Sequence, residues 1–258
     1  MDTTPLNFET LSSAPLPPCD PVATEAGWSI LPELRRATAG LGIPESSVTL
    51  SNPFSLMAKR IIDLTAALSV LTLLAPVLLG IALCIRLDSP GPVLFRQRRL
   101  GRFGRPFWIY KFRTMRADAE KRLAELEAHN EAAQGVLFKM THDPRVTRLG
   151  HFLRRTNLDE LPQFWNVLMG EMSLVGPRPF QMRDSERLQA MNPHAFTRRL
   201  EFLPGLTGAW QVGRAAPTDS EHLLELDLEY VENWSLARDL RIIYKTFFVL
   251  FAGFRNRW

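Results

Sequence analysis

The run Ile61–Ile85, IIDLTAALSVLTLLAPVLLGIALCI, limits this chain's options more than any other stretch, because Asp63 is its only charge. A straight helix of that length measures roughly 37 Å, enough to span a bilayer core of about 30 Å. Pro76 lies inside the run, where it removes a helix hydrogen bond and clashes with the preceding turn. Lys59 and Arg60 flank one end and Arg86 the other. Three readings compete. A buried core helix fits poorly with so few polar residues. A spanning helix is the default of hydropathy, and the basic charge after it would put the C-terminal part in the cytoplasm. A re-entrant hairpin, broken at Ala75-Pro76 with both ends on one face, suits the proline and the paired basic flanks. A kinked spanning helix accommodates both features too. Whichever form the run takes, it binds the chain to a membrane.

Charge divides the 258 residues unevenly. Residues 1–54 carry six acids and two bases, a net of −4, which leaves about +8 for the remainder of a chain whose total is +4. Eight of the nineteen prolines fall in the first 53 residues. Such a segment buries too little apolar surface to offset its ordering entropy, so residues 1–54 read as a disordered, Pro-rich acidic tail with at most a short helix over 31–40. The tail has neither the basic start nor the apolar core of a signal peptide. Two cysteines, Cys19 and Cys84, argue against a disulfide framework or a cysteine metal site and read as reduced and inert.

Between Arg96 and Arg116 lie eight basic residues and no acid, interleaved with Phe103, Phe107, Trp108, Tyr110 and Phe112. Basic charge beside a membrane segment is drawn to anionic headgroups, and aromatics settle at the interface. Nucleic-acid binding is the rival for a basic, aromatic run, and the apolar anchor directly ahead of it argues for lipid instead. Ser89–Phe95, SPGPVLF, predicts a turn leading into a strand. Residues 118–134 have the pattern of a solvated helix, and His142 and His151 suit surface or packing positions better than metal ligation.

The chemistry concentrates in RRTNLDELPQFWNVLMGEMSLVGPRP, residues 154–179. Asp159 and Glu160 stand just ahead of Pro162, a position from which a helix with proline in its first turn would begin near Asp159. Two carboxylates at a helix start would stay ionised and hold a divalent cation such as Mg²⁺ through hard oxygen ligands. Arg154, Arg155 and Arg178 would grip phosphate, the guanidinium being its bidentate partner. A solvated Asp-Glu helix start is the ordinary alternative, and sequence spacing does not bring the arginines together.

KRIIDLTAAL, IRLDSPGPVLFRQRRLGRFGRPFWIYKFRTM, DPRVTRLGHFLRRTNLDELPQFWNVLMGEMSLVGPRP, FLPGLTGAWQV and LDLEYVENWSLARDLRIIYKT, in this order, resemble the bacterial sugar transferases from about Met57 to Phe254. These are monotopic phosphoglycosyl transferases, which move a sugar phosphate from a nucleotide sugar to a polyprenyl phosphate. The resemblance implies that Asp159 is the nucleophile and Glu160 its partner, the two binding Mg²⁺. It implies that Arg154 contacts the donor's phosphates, that Arg178 binds nucleotide, and that Lys111 and Arg113 of KFRTM bind substrate near the active site. Residues 55–87 would be a re-entrant hairpin entering the cytoplasmic leaflet, broken at Ala75-Pro76. Large relatives place spanning helices ahead of this module, where this chain has its acidic tail. Three departures stand out: Ala75 replaces the usual Ser of Ser-Pro, Asn157 replaces the Ser before LDE as another capping residue, and GAWQVGR is compressed.

The architecture implied is a mainly helical α+β fold, a membrane hairpin joined to a cytosolic catalytic domain over 88–258. Its C-terminal stretch 240–254, LRIIYKTFFVLFAGF, reads as an interfacial helix or, alternatively, a core helix. Expected partners are a UDP-sugar, undecaprenyl or another polyprenyl phosphate, and membrane lipid at the cytoplasmic face of a bacterial inner membrane, with no nucleic acid. A homo-oligomer is compatible with the sequence. Two rival functions are a membrane-anchored metal-dependent phosphatase and a non-catalytic membrane adaptor.

Overall fold

In the computed structural model the described residues are 53–116, 119, 140, 143–213 and 220–255. The tail over residues 1–52, the predicted helix over 118–134, Cys19 and His142 therefore lie outside the description, Ala119 apart. The apolar run forms two helices, α1 (Pro53–Leu73) and α2 (Ala75–Asp88), bent by 61°. Leu74 ends the first helix, and Pro76, lacking an N–H, occupies the first turn of the second. The ladder is bridged by Leu74 N donating to Val70 O (2.9 Å) and Leu78 N to Leu74 O (2.8 Å). Among the described residues no single helix is long and apolar enough to cross a membrane; α1 and α2 together meet that test by length and composition. Leu68, Leu73, Val77, Leu79, Leu83 and Leu87 are exposed along them.

The remaining elements make a mainly helical α+β body. SPGPVLF turns into β1 (Leu94–Leu100), which pairs antiparallel with β2 (Pro106–Phe112), setting Phe95 opposite Lys111 and Arg99 opposite Phe107. Then come α3 (Arg148–Thr156), a 3₁₀ turn at Leu158–Glu160, α4 (Gln163–Met169) and β3 (Ser173–Val175). Helices α5 (Met182–Met191) and α6 (Pro193–Arg199) lead to β4 (Gly205–Thr207), parallel to β3. Short α7 (Ala209–Val212), α8 (Ser220–Glu232) and α9 (Leu236–Arg255) complete the order.

Both bent helices pack into the body, each through its own cluster. Ala67 of α1 packs with Phe107, Ile109, Val167 and Met172, and Ile85 of α2 packs with Phe112 and Leu153. Lys59 and Arg60 are thus not lipid-facing flanks. Lys59 Nζ donates to Asp239 Oδ2 (2.6 Å) and Val175 O (2.9 Å), and Arg60 caps α4 by donating to Val167 O (2.7 Å) and Leu168 O (3.0 Å). Asp63 accepts Leu174 N (2.9 Å), so α1 supplies polar partners to both sides of β3. The helix over 240–254 starts earlier, at Leu236, and has two characters: Ile242 is buried, whereas Leu240, Tyr244, Phe247 and Phe248 are exposed.

Candidate active site

Asn166, fully buried on α4, ties that helix to β2. Its Oδ1 accepts Tyr110 N (3.1 Å) and its Nδ2 donates to Trp108 O (2.7 Å), the two backbone groups a neighbouring strand would have used. This sets the turn before α4 beside the end of β2, where Lys111 follows Tyr110. Lys111 Nζ then reaches Glu160 Oε1 at 2.6 Å. From the other side, α3 lies so close to Thr114 that a Cβ on Gly150 would stand 2.0 Å from Thr114 O. Arg154, exposed near the end of α3, donates Nε to Thr114 Oγ1 at 2.8 Å.

The acidic pair does not begin an α-helix. Pro162 has no N–H to offer Leu158 O, so Leu161 N takes that carbonyl (3.3 Å) in a 3₁₀ turn, and α4 starts only at Gln163. Asn157 acts at the end of α3 rather than as a side-chain cap of the acidic turn. It adopts φ 55°, a left-handed conformation that asparagine tolerates better than most residues.

Burial and charge separate the two carboxyls. Asp159 is 9% exposed, and burial raises its pKa to about 6, with Lys111 opposing, Glu160 reinforcing and Arg154 opposing. Among the described residues no other residue donates a hydrogen bond to its carboxylate. Burial also works to raise Glu160, but the charge and hydrogen bond of Lys111, with Arg178 and Arg99, outweigh it and hold that carboxyl below its ordinary range. No α-helix start supplies a dipole to the pair: Lys111 and the arginines favour the charged form of Glu160, while burial raises Asp159 to about 6.

Arg178 enters from the loop after β3. Gly176 and Gly205 let that loop meet the segment around β4 backbone to backbone, since a Cβ at Gly176 would lie 2.3 Å from Leu203 O and one at Gly205 2.1 Å from Gly176 N. Gly205 N donates to Pro177 O (2.8 Å) and Gly176 N to Thr207 O (2.9 Å). The Arg178 guanidinium stacks on Trp210, 4.4 Å from the ring centroid, and its charge acts on Glu160. Lys111, Arg154 and Arg178 thus converge on the acidic pair.

Arg113 does not join them. It is buried, and it donates to Ser89 O (2.6 Å), Ser89 Oγ (2.9 Å) and Pro90 O (3.0 Å), which closes the end of α2. Ala75 and Pro76 form the helix break. Arg99 joins instead, donating to Pro179 O (3.1 Å); burial first, then the charge of Arg178, lowers its pKa to about 10. In the sequence it was one of eight basic residues, and only the register of β1 marks it out. The pair Arg199 and Asp227, 28 positions apart, was also missed; Arg199 Nε donates to Asp227 Oδ2 at 3.0 Å with both side chains buried. Nothing in the sequence links those two.

The galactosyl transferase CpsE of Streptococcus agalactiae serotype III (strain NEM316) is 44% identical over 199 residues, covering 77% of this chain and 43% of that protein. A UDP-glucose:undecaprenyl-phosphate glucose-1-phosphate transferase of Escherichia coli (strain K12) is 41% identical over 206 residues, 78% of this chain and 41% of that protein. The exopolysaccharide production protein PSS of Rhizobium leguminosarum bv. phaseoli is 44% identical over 198 residues, 74% of this chain and 94% of that protein. This chain spans less than half the length of the first two. The bacterial sugar transferase family matches residues 54–253, a stretch that holds the bent helices, the acidic pair and every arginine around it, and this chain belongs to that family.

Proposed function

We propose that this chain transfers a sugar 1-phosphate from a UDP-sugar to undecaprenyl or another polyprenyl phosphate, releasing UMP, at the cytoplasmic face of a bacterial inner membrane. The observation that carries the reading is Asp159: a buried carboxylate with no hydrogen bond from another of the described residues, its pKa raised to about 6 by burial, beside a glutamate whose charge Lys111 balances. Such a group is ionised at neutral pH yet poorly solvated, the condition of an activated nucleophile. The E. coli relative carries the same donor and acceptor classes in its name.

In the first step an Asp159 oxygen attacks the sugar-bearing phosphorus, the P–O bond to the leaving nucleotide breaks, and UMP departs with that electron pair. Arg154 and Arg178 orient the diphosphate and take up its charge. In the second step a phosphate oxygen of the lipid attacks the same phosphorus and the Asp159 carboxylate is freed. Splitting the transfer this way leaves a mixed anhydride that keeps the donor's transfer potential. Asp159 and Glu160 suit Mg²⁺, which takes one or two protein carboxylates and completes its shell with water and substrate phosphates. Lys111 occupies only Oε1 of Glu160, and among the described residues no third acid, histidine or cysteine completes a protein-only cage. When bound, the ion would supply charge neutralisation to the diphosphate.

The exposed apolar side chains of α1, α2 and α9 support seating in one leaflet. Leu158, next to the nucleophile, packs in the cluster that Ile85 of α2 joins, which would bring a lipid phosphate at the headgroup level to Asp159. The test is intact-protein mass after mixing with a UDP-sugar alone: a gain of one phosphosugar, lost in Asp159→Asn, is expected. Near-normal turnover by Asp159→Asn would refute the covalent route. Inorganic phosphate release without a lipid-linked product would assign a phosphatase, and no UMP from any nucleotide sugar would leave an adaptor.

A further inference from the structure

We propose that Arg199 and Asp227 are positioning residues for Arg178, a buried ion pair that grips its main chain on both sides and so aims its guanidinium at the donor; this rests on the reading of Arg178 as a donor-phosphate ligand. Asp227 Oδ2 accepts Arg178 N (3.3 Å) together with Arg199 Nε (3.0 Å). Arg199 Nη2 in turn donates to Arg178 O. The N–H and C=O of one residue are thereby held by one pair, with Asp227 1% and Arg199 2% exposed. Flanking prolines at 177 and 179 restrict the same residue's neighbours, and Trp210 supports the guanidinium from one face.

Stability alone does not account for this arrangement. A buried ion pair is a poor stabiliser compared with apolar residues of similar volume, because desolvation offsets the attraction. Asp227 Oδ1 moreover has no hydrogen-bond partner among the described residues. The pair is spent on one backbone unit, and that unit carries the guanidinium whose charge acts on Glu160. A guanidinium fixed in advance gives up less conformational freedom when it binds a diphosphate.

Asp227→Asn tests this with little change of shape. The amide oxygen keeps an acceptor for Arg178 N, the amide nitrogen falls where Oδ1 has no donor facing it, and only the negative charge that pairs with Arg199 is lost. Steady-state kinetics of the full chain in lipid should give a donor KM raised about tenfold or more, with the polyprenyl-phosphate KM within about twofold of wild type. Asp227→Glu should recover part of the donor KM. Since removing one partner of a buried pair endangers folding, Arg199→Met with Asp227→Leu is the companion variant. It should regain thermal stability without regaining donor KM. A donor KM unchanged in both variants, with kcat falling only as the folded fraction falls, would overturn the positioning role. Arg178→Ala separates the two claims: if it raises donor KM and Asp227→Asn does not, positioning alone fails. If neither does, the donor-binding role of Arg178 fails with it.

Discussion

Replacing Asp159 by asparagine should abolish transfer and yet stabilise the fold at neutral pH. Burial, opposed in part by Lys111, moves the carboxyl from its ordinary 3.8 to about 6 in the folded chain. Between those values the folded state keeps a proton that the unfolded chain has released, so stability falls as pH rises through the interval. The cost is fully present above about pH 6 and absent below about 3.8. Two pKa units correspond to on the order of 3 kcal/mol at about 1.4 kcal/mol per unit. Asparagine carries no charge to desolvate and escapes that cost. For a body of this size each kcal/mol is worth about 2–4 °C, so Asp159→Asn should melt on the order of 5–10 °C higher at pH 7.5. The assay is thermal unfolding of wild type and variant in one detergent, in metal-free buffer, at pH 7.5 and again near pH 4. The difference should shrink towards zero at the lower pH. Equal melting temperatures at pH 7.5, or a gain of the same size at both, would refute the assignment of a strained, buried carboxylate.

The same titration governs catalysis. Single-turnover formation of the phosphosugar adduct should fall roughly tenfold per pH unit below about pH 6, because the nucleophile is the deprotonated form, and a flat profile down to pH 5 would contradict it. Arg113→Met should leave donor KM within about twofold while lowering stability by about 1–3 kcal/mol, since partly buried carbonyls at the end of α2 lose their donor. A tenfold rise in donor KM would return Arg113 to substrate binding. Lys59→Met should destabilise by about 3–5 kcal/mol, because Asp239 stays buried without its cation. Unfolding at the wild-type temperature would instead make Lys59 a lipid-facing flank.

Local chemistry was legible in the sequence wherever one or two residues decide the backbone. Pro76 fixed the break in the apolar run, and SPGPVLF fixed the turn into β1, because a missing N–H or a set φ acts without tertiary help. The same rule, applied to Pro162, placed a helix start four residues too early, since the carbonyl the proline could not serve went to Leu161 in a 3₁₀ turn. Asp159, Glu160, Lys111, Arg154 and Arg178 could be named from their residue types and from the family resemblance.

Partnership was decided by the tertiary structure alone. Lys59, Arg60 and Arg113 look in sequence like membrane or phosphate cations, and each is consumed by carbonyls or a carboxylate brought from elsewhere in the chain. Arg99 gained a place beside Arg178 through strand register, and Arg199 found Asp227 across two helices. A side chain's charge is written in its covalent structure. Whether that charge meets water, a headgroup, a carbonyl or another ion depends on burial and on contacts between distant segments. The different titration of Asp159 and Glu160, adjacent in sequence and alike in chemistry, arises from the same cause.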